Sequence, residues 1–89
     1  MKCFLVLAMR IPRFDPAVIP AHYAHLDALK VDGRLEAFGP FPDKSGGAYL
    51  VRAESLQDAQ VLAFADPVYL TGSSEVTVRE WNVTQVEAK

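Results

Sequence analysis

Residues 2–9 (KCFLVLAM) are apolar at both alternating sets of positions once Lys2 is passed. Large and β-branched apolar side chains on both parities predict a strand that is covered on both faces. Residues 10–19 (RIPRFDPAVI) carry two prolines and predict a loop or a broken first helical turn. Pro20 suits the first helical position. The pattern then predicts a helix over 20–32, with Gly33 as its stop signal.

Residues 34–39 (RLEAFG) predict a short strand with Leu35 and Ala37 on one face, followed by a turn region rich in Gly and Pro. Residues 48–53 (AYLVRA) predict the next strand. Ser55 reads as an N-cap, and Ser55-Leu56-Gln57-Asp58 resembles a capping box with the shorter acid. Leu56, Ala59, Leu62 and Ala63 then share a helical face, and Pro67 ends that helix near Ala65. Residues 68–74 read as irregular, 75–83 (EVTVREWNV) as the last strand, and the tail TQVEAK as frayed.

The predicted order is β-α-β-β-α-β, the split βαβ or ferredoxin-like arrangement of the α+β class. Right-handed crossovers put both helices on one face of an antiparallel sheet, with the first and third strands in its centre. The opposite face is left bare, although the first strand is apolar on that side too and Trp81 and Val83 add bulk. A bare face of that kind predicts a homodimer closed sheet against sheet, a dimeric α+β barrel-type association.

Composition narrows the function classes. An 89-residue chain suits one domain. With 51% hydrophobic and 22% charged residues it is globular and not disordered. The net charge is −2 and the basic residues are scattered, so no phosphate-binding stripe forms and nucleic acid is not an expected partner. Lys2 and the run after it faintly resemble a signal peptide, but the run is short and no small-residue cleavage site follows. No segment is long enough to span a membrane. Cys3 is the single cysteine and has no internal disulfide partner; it lies in an apolar run, where an inert role is expected. That points to a reducing, cytoplasmic compartment.

The candidate chemistry is concentrated in PAHYAHLDAL, residues 20–29, which holds both histidines. On a helical wheel Val18, Leu26 and Leu29 fall within about 40 degrees of His22, so His22 is central in the apolar stripe. His25 falls toward its edge, as a rim residue or a solvated one. The Asp66-Pro67 dipeptide has two readings. In the first, Asp66 caps a short turn that begins at Pro67, as Asp15 does before Pro16. Alternatively it closes the preceding helix, meets the unfavourable end of the dipole and is compensated by an imidazole. The second reading is carried forward, because both helices cover one face and an Asp at the end of one can approach a His on the other. A carboxylate behind an imidazole fixes its tautomer and raises its basicity, which makes a general base.

His22 and His25 alone lack a third clear ligand, so neither a metal nor another cofactor is expected. No local motif supports nucleophilic catalysis or a phosphate loop. Tyr23, Tyr49 and Tyr69 are each able to donate a hydrogen bond to a substrate.

Pro20-Ala21-His22 with Leu26, Gly33-Arg34-Leu35, Gly39-Pro40, Ser55-Leu56 with Ala59, Asp66-Pro67 and Trp81 together resemble the YCII-related domain, the YciI-like proteins. The resemblance runs over residues 2–83. It implies a dimeric ferredoxin-like fold and a cleft whose His–Asp pair maps onto His22 and Asp66. It is similar in fold to muconolactone isomerases and related monooxygenases, which handle ring-derived metabolites without a metal. Two positions depart from the pattern. Ile19 stands where many members carry Arg, so an anion anchor there would pass to His25 or Arg13. Val68 follows Asp66-Pro67, and the aromatic residue comes one place later as Tyr69.

These readings converge on a small cofactor-independent enzyme with His22 and Asp66 as catalytic pair. His25, Pro40 and Tyr69 are expected at the ligand, a small organic metabolite undergoing isomerisation or elimination next to a carbonyl. The competing expectation is a non-catalytic ligand-binding or structural homodimer in which the pair ties two helices together. A partner-binding accessory domain is a third.

Overall fold

The computed structural model describes residues 1–86. Four strands form one antiparallel sheet: β1 (Lys2–Arg10), β2 (Leu35–Pro40), β3 (Gly46–Ala53) and β4 (Ser74–Glu80), in the order β2-β3-β1-β4. Helix α1 (Ile19–Val31) connects β1 to β2, and α2 (Leu56–Phe64) with the short α3 (Pro67–Leu70) connects β3 to β4. This is the expected ferredoxin-like α+β arrangement, with the first and third strands central.

The pleat of β1 divides its apolar residues. Phe4, Val6 and Ala8 are buried, and Val51 and Tyr49 lie opposite Phe4 and Val6 on β3. They pack with Leu26 and Leu29 of α1 and with Ala59 and Ala63 of α2. The two alanines have no exposed surface, which lets α2 approach the sheet closely. Burying each large apolar side chain of this set contributes about 1.5–3 kcal/mol. The other parity, with Leu5, Leu7 and Met9 beside Leu50, lies on the face without helices. Trp81 extends the ladder by one bond to the Cys3 carbonyl and remains 47% exposed.

Helix boundaries follow from local chemistry. Asp15 caps a single 3-10 turn, Pro16–Val18, by accepting from the Ala17 amide, and α1 continues from that turn. The segment expected to be loop thus already holds the start of the helix. At the far end Gly33, at φ 75°, lets its own amide reach Lys30 O and the Arg34 amide reach Leu29 O. Those two bonds satisfy carbonyls that the last turn would otherwise leave bare. Ser55 caps α2 through its hydroxyl, which accepts from the Asp58 amide.

Several boundaries differ from expectation. A β-bulge sits between Leu35 and Ala37, so Leu35 opposes Val51 while Ala37 opposes Leu50, on the other face. Leu56 is 44% exposed because it lies in the first turn of α2, at the edge of the packed stripe. Of residues 68–74, expected to be irregular, 68–70 belong to the helical turn Pro67–Leu70, which Asp66 caps and whose start Pro67 presets. The last strand ends at Glu80 and leaves Val83 outside it. The expected frayed tail extends beyond the described residues at 87–89.

Candidate active site

Asp66 is the pivot. Its side chain is fully buried, an uncommon setting for a carboxylate. It lies past the end of α2, whose C-cap is Ala65, and is itself the N-cap of α3. The expectation that it closes a helix against the dipole is therefore corrected. Extended backbone at φ −66°, ψ 131° starts a new helix, and the carboxylate faces the favourable amide end.

Oδ1 of Asp66 accepts from the Val68 amide at 3.0 Å, and Oδ2 accepts from the Tyr49 hydroxyl at 3.2 Å. His22 Nδ1 lies 2.9 Å from Oδ1 and 2.7 Å from Oδ2. An ionised carboxylate only accepts, so Nδ1 carries a proton and donates it. The remaining nitrogen, Nε2, has no side-chain or backbone partner among the described residues. The imidazole is 18% exposed and opens onto a cleft. Burial, and then the neighbouring Asp66 carboxylate, push the Tyr49 phenol well above its ordinary value. Tyr49 therefore acts as a fixed donor that aims Asp66.

The cleft lies between α1 and the ends of β1, β2 and β3. It encloses about 570 Å³ once the open space of its mouth is counted. Arg10, Phe14, His22, Tyr23, Phe38 and Tyr49 surround it. Ala8, Gly39 and Gly47 also line it, so part of its wall is nearly bare backbone. A Cβ on Gly47 would lie 2.7 Å from the Gly39 carbonyl oxygen, so strand pairing there requires glycine. Tyr23 and Phe38 meet edge to face at 6.3 Å and are 42% and 51% exposed.

Pro40 lines the cleft, as do His22 and Tyr49. His25 and Tyr69, expected at the ligand, do not. His25 Nε2 lies 2.9 Å from the Leu62 carbonyl, to which it donates, tying α1 to α2. Tyr69 turns outward because α3 is helical, and it stacks on Phe64 at 4.4 Å. Arg13 is exposed and also outside the cleft. Sequence reasoning missed Arg10 and Phe14. For Arg10 the signal was the parity of β1, since it continues the series Phe4, Val6, Ala8; Phe14, beyond the strand, carried none. Among the described residues no group of three or more His, Cys, Asp or Glu side chains is placed to hold a metal. No helix among them is long and apolar enough to cross a membrane.

A family model for the YCII-related domain matches residues 4–82. The chain belongs to the YCII-related domain family. This YCII-related domain is 43% identical over 83 residues to the uncharacterized protein YjpA of Bacillus subtilis (strain 168), covering 93% of this chain and 98% of that one. It is similar in fold, at a TM-score of 0.72 and 22% identity, to the 5-chloro-2-hydroxyhydroquinone dehydrochlorinase of Burkholderia phenoliruptrix AC1100 in complex with 2,5-dihydroxybenzoquinone. That likeness covers 90% of this chain and 93% of the dehydrochlorinase.

Proposed function

We propose that this YCII-related domain is an enzyme acting on a small ring-derived carbonyl compound, with His22 as general acid/base and Asp66 as the group that orients it. The observation that carries the reading is the His22 ring, bound through Nδ1 to a buried carboxylate while it lines an open cleft. Nε2 takes a proton from carbon next to the substrate carbonyl, and the C–H electron pair moves to the carbonyl oxygen as an enolate. Collapse of the enolate either expels a leaving group from the β carbon or takes the proton back at another carbon. The first outcome is elimination and the second is isomerisation. The structural neighbour's own activity, a dehydrochlorination, is an elimination, and that protein binds 2,5-dihydroxybenzoquinone, a ring with carbonyl groups.

The test is proton exchange. Ring ketones and hydroxyquinones, 2,5-dihydroxybenzoquinone among them, are incubated in D₂O and followed by NMR. Wild type is expected to speed exchange next to the carbonyl, and His22→Gln to reduce that rate about 10²–10⁴-fold. Equal rates for the two proteins overturn the reading. The competing structural reading rests on Asp66, which caps α3 and holds Tyr49 as well as His22. It gains if His22→Ala lowers stability and no activity depends on His22.

We also propose that the helix-free face, with Leu5, Leu7, Leu50 and Trp81, closes against a second copy. Light scattering is expected to give twice the 9.8 kDa chain mass, and Leu7→Asp to give the single mass. A monomeric wild type overturns this. The free Cys3 fits a cytoplasmic location, to be checked by fractionation; recovery of the protein outside the cytoplasm overturns it.

A further inference from the structure

Arg10 is the last residue of β1, and the pleat points it to the helix side with Phe4, Val6 and Ala8. There it joins the wall of the cleft that His22 opens onto. Its guanidinium carbon lies 4.2 Å from the centroid of the Phe14 ring. Attraction to the face of a ring takes up no acceptor, so it leaves the guanidinium N–H donors available to bind an anion. Phe14 is held in place by its amide, which donates to the Ile11 carbonyl at 3.0 Å. The Arg10 backbone is fixed as well, through its amide to Ser45 O at 2.9 Å.

Among the described residues Arg10 has no carboxylate partner, since the ion pairs there join Lys2 to Glu80, His22 to Asp66, Arg34 to Asp32 and Arg52 to Glu36. Neighbouring acids are directed elsewhere. Glu75 opposes Met9 and so points to the other face of the sheet. Asp15 accepts from the Ala17 amide, and Asp66 is engaged by His22, Tyr49 and Val68. The result is a preset, uncompensated guanidinium in a cleft whose other walls are largely apolar: Ile19, Leu26, Tyr23 and Phe38.

We propose that Arg10 is a specificity-determining residue that binds a planar oxyanion on the substrate, a carboxylate or a ring enolate. Resting on the reading of the cleft as a substrate site, it narrows the substrate class to anionic rings. The forked guanidinium matches a carboxylate through two parallel hydrogen bonds, which a neutral amide does not reproduce. A ring carrying the anion then lies between Arg10 and the aromatic pair Tyr23–Phe38, within the cleft that holds His22. The anion anchor expected at Arg13 or His25 is thus assigned to Arg10, since neither of those residues lines the cleft.

The probes are 4-hydroxybenzoate and its neutral counterpart 4-hydroxybenzamide, titrated by NMR into wild type, Arg10→Gln, Arg10→Lys and His22→Gln. Amide-proton spectra verify that each variant is folded. Wild type is expected to prefer the acid, with salt weakening the acid alone. Arg10→Gln is expected to lower acid affinity about 10- to 100-fold and to change amide affinity less than about twofold. Arg10→Lys is expected to restore only part of the loss, and His22→Gln to keep the preference. The proposal is overturned if wild type binds neither probe or shows no preference, or if Arg10→Gln binds the acid as wild type does. It is also overturned if the preference is lost in His22→Gln and kept in Arg10→Gln. Proton exchange is read separately, so Arg10 can fail while the His22–Asp66 reading stands, and the reverse.

Discussion

Both oxygens of the Asp66 carboxylate lie within hydrogen-bond distance of a single nitrogen of His22, at 2.9 and 2.7 Å. The imidazole is therefore held near the bisector of the carboxylate, with Tyr49 and the Val68 amide taking the outer positions.

Asp66→Asn tests that arrangement. An amide presents an NH₂ where the carboxylate had an acceptor, so one of its three donors meets another donor. Stability is expected to fall by about 1–3 kcal/mol in urea unfolding. His22 is also expected to change tautomer, visible in its ¹⁵N ring shifts. Unchanged ring shifts would sink the proposed orienting role.

His25→Gln separates the two histidines. His25 donates to the Leu62 carbonyl and does not line the cleft. Losing that tie is expected to cost about 1 kcal/mol of stability. Binding of 4-hydroxybenzoate is expected to match wild type. A variant of wild-type stability that no longer binds would reverse the assignment.

Tyr49 predicts a pH dependence. Its folded-state value is raised above the ordinary 10.0, chiefly by burial and then by Asp66. The proton is held in the folded state and released in the unfolded chain once pH passes that ordinary value. The unfolded state then binds fewer protons, so stability falls as pH rises. The contribution is fully present below the ordinary value and is lost above it. Urea midpoints above that pH are expected to fall more steeply for wild type than for Tyr49→Phe, and parallel curves would refute the assignment.

Two glycines that both have positive φ are expected to respond differently to alanine. At Gly33, φ 75°, an added Cβ meets nothing within 4 Å, so the cost is the backbone term alone, about 1 kcal/mol. At Gly46 the added Cβ would collide with the Ala8 carbonyl oxygen. Gly46→Ala is expected to cost several times as much, about 3 kcal/mol or more, because β1 and β3 must separate. Equal urea midpoints for the two variants would contradict this ordering.

Periodicity made the site partly legible. The wheel placed His22 with Val18, Leu26 and Leu29, and the last three are buried. Asp66 was found near His22, but on a mistaken dipole argument. The local signal favoured the other reading, since Pro67 disfavours helical backbone at Asp66 and suits the first position of a new helix. His25 and Tyr69 were misplaced for a related reason. The direction of His25 depends on its contact with the Leu62 carbonyl across α1 and α2, a tertiary fact, and that of Tyr69 on the short helix α3. Tyr49 and Arg10 were readable from strand parity on β3 and β1, a weaker signal than the histidines beside them.

His22 and Asp66 are 44 positions apart and come from different halves of the βαβ pair. Neither half of the chain contains the His22–Asp66 pair, and the pair does not exist until the two halves have docked. Any cut, hinge or partial unfolding that separates α1 from α3 abolishes the site at once, whatever secondary structure survives. At the proposed site, binding of a ligand beside His22 is thus expected to report directly on whether the two halves have assembled.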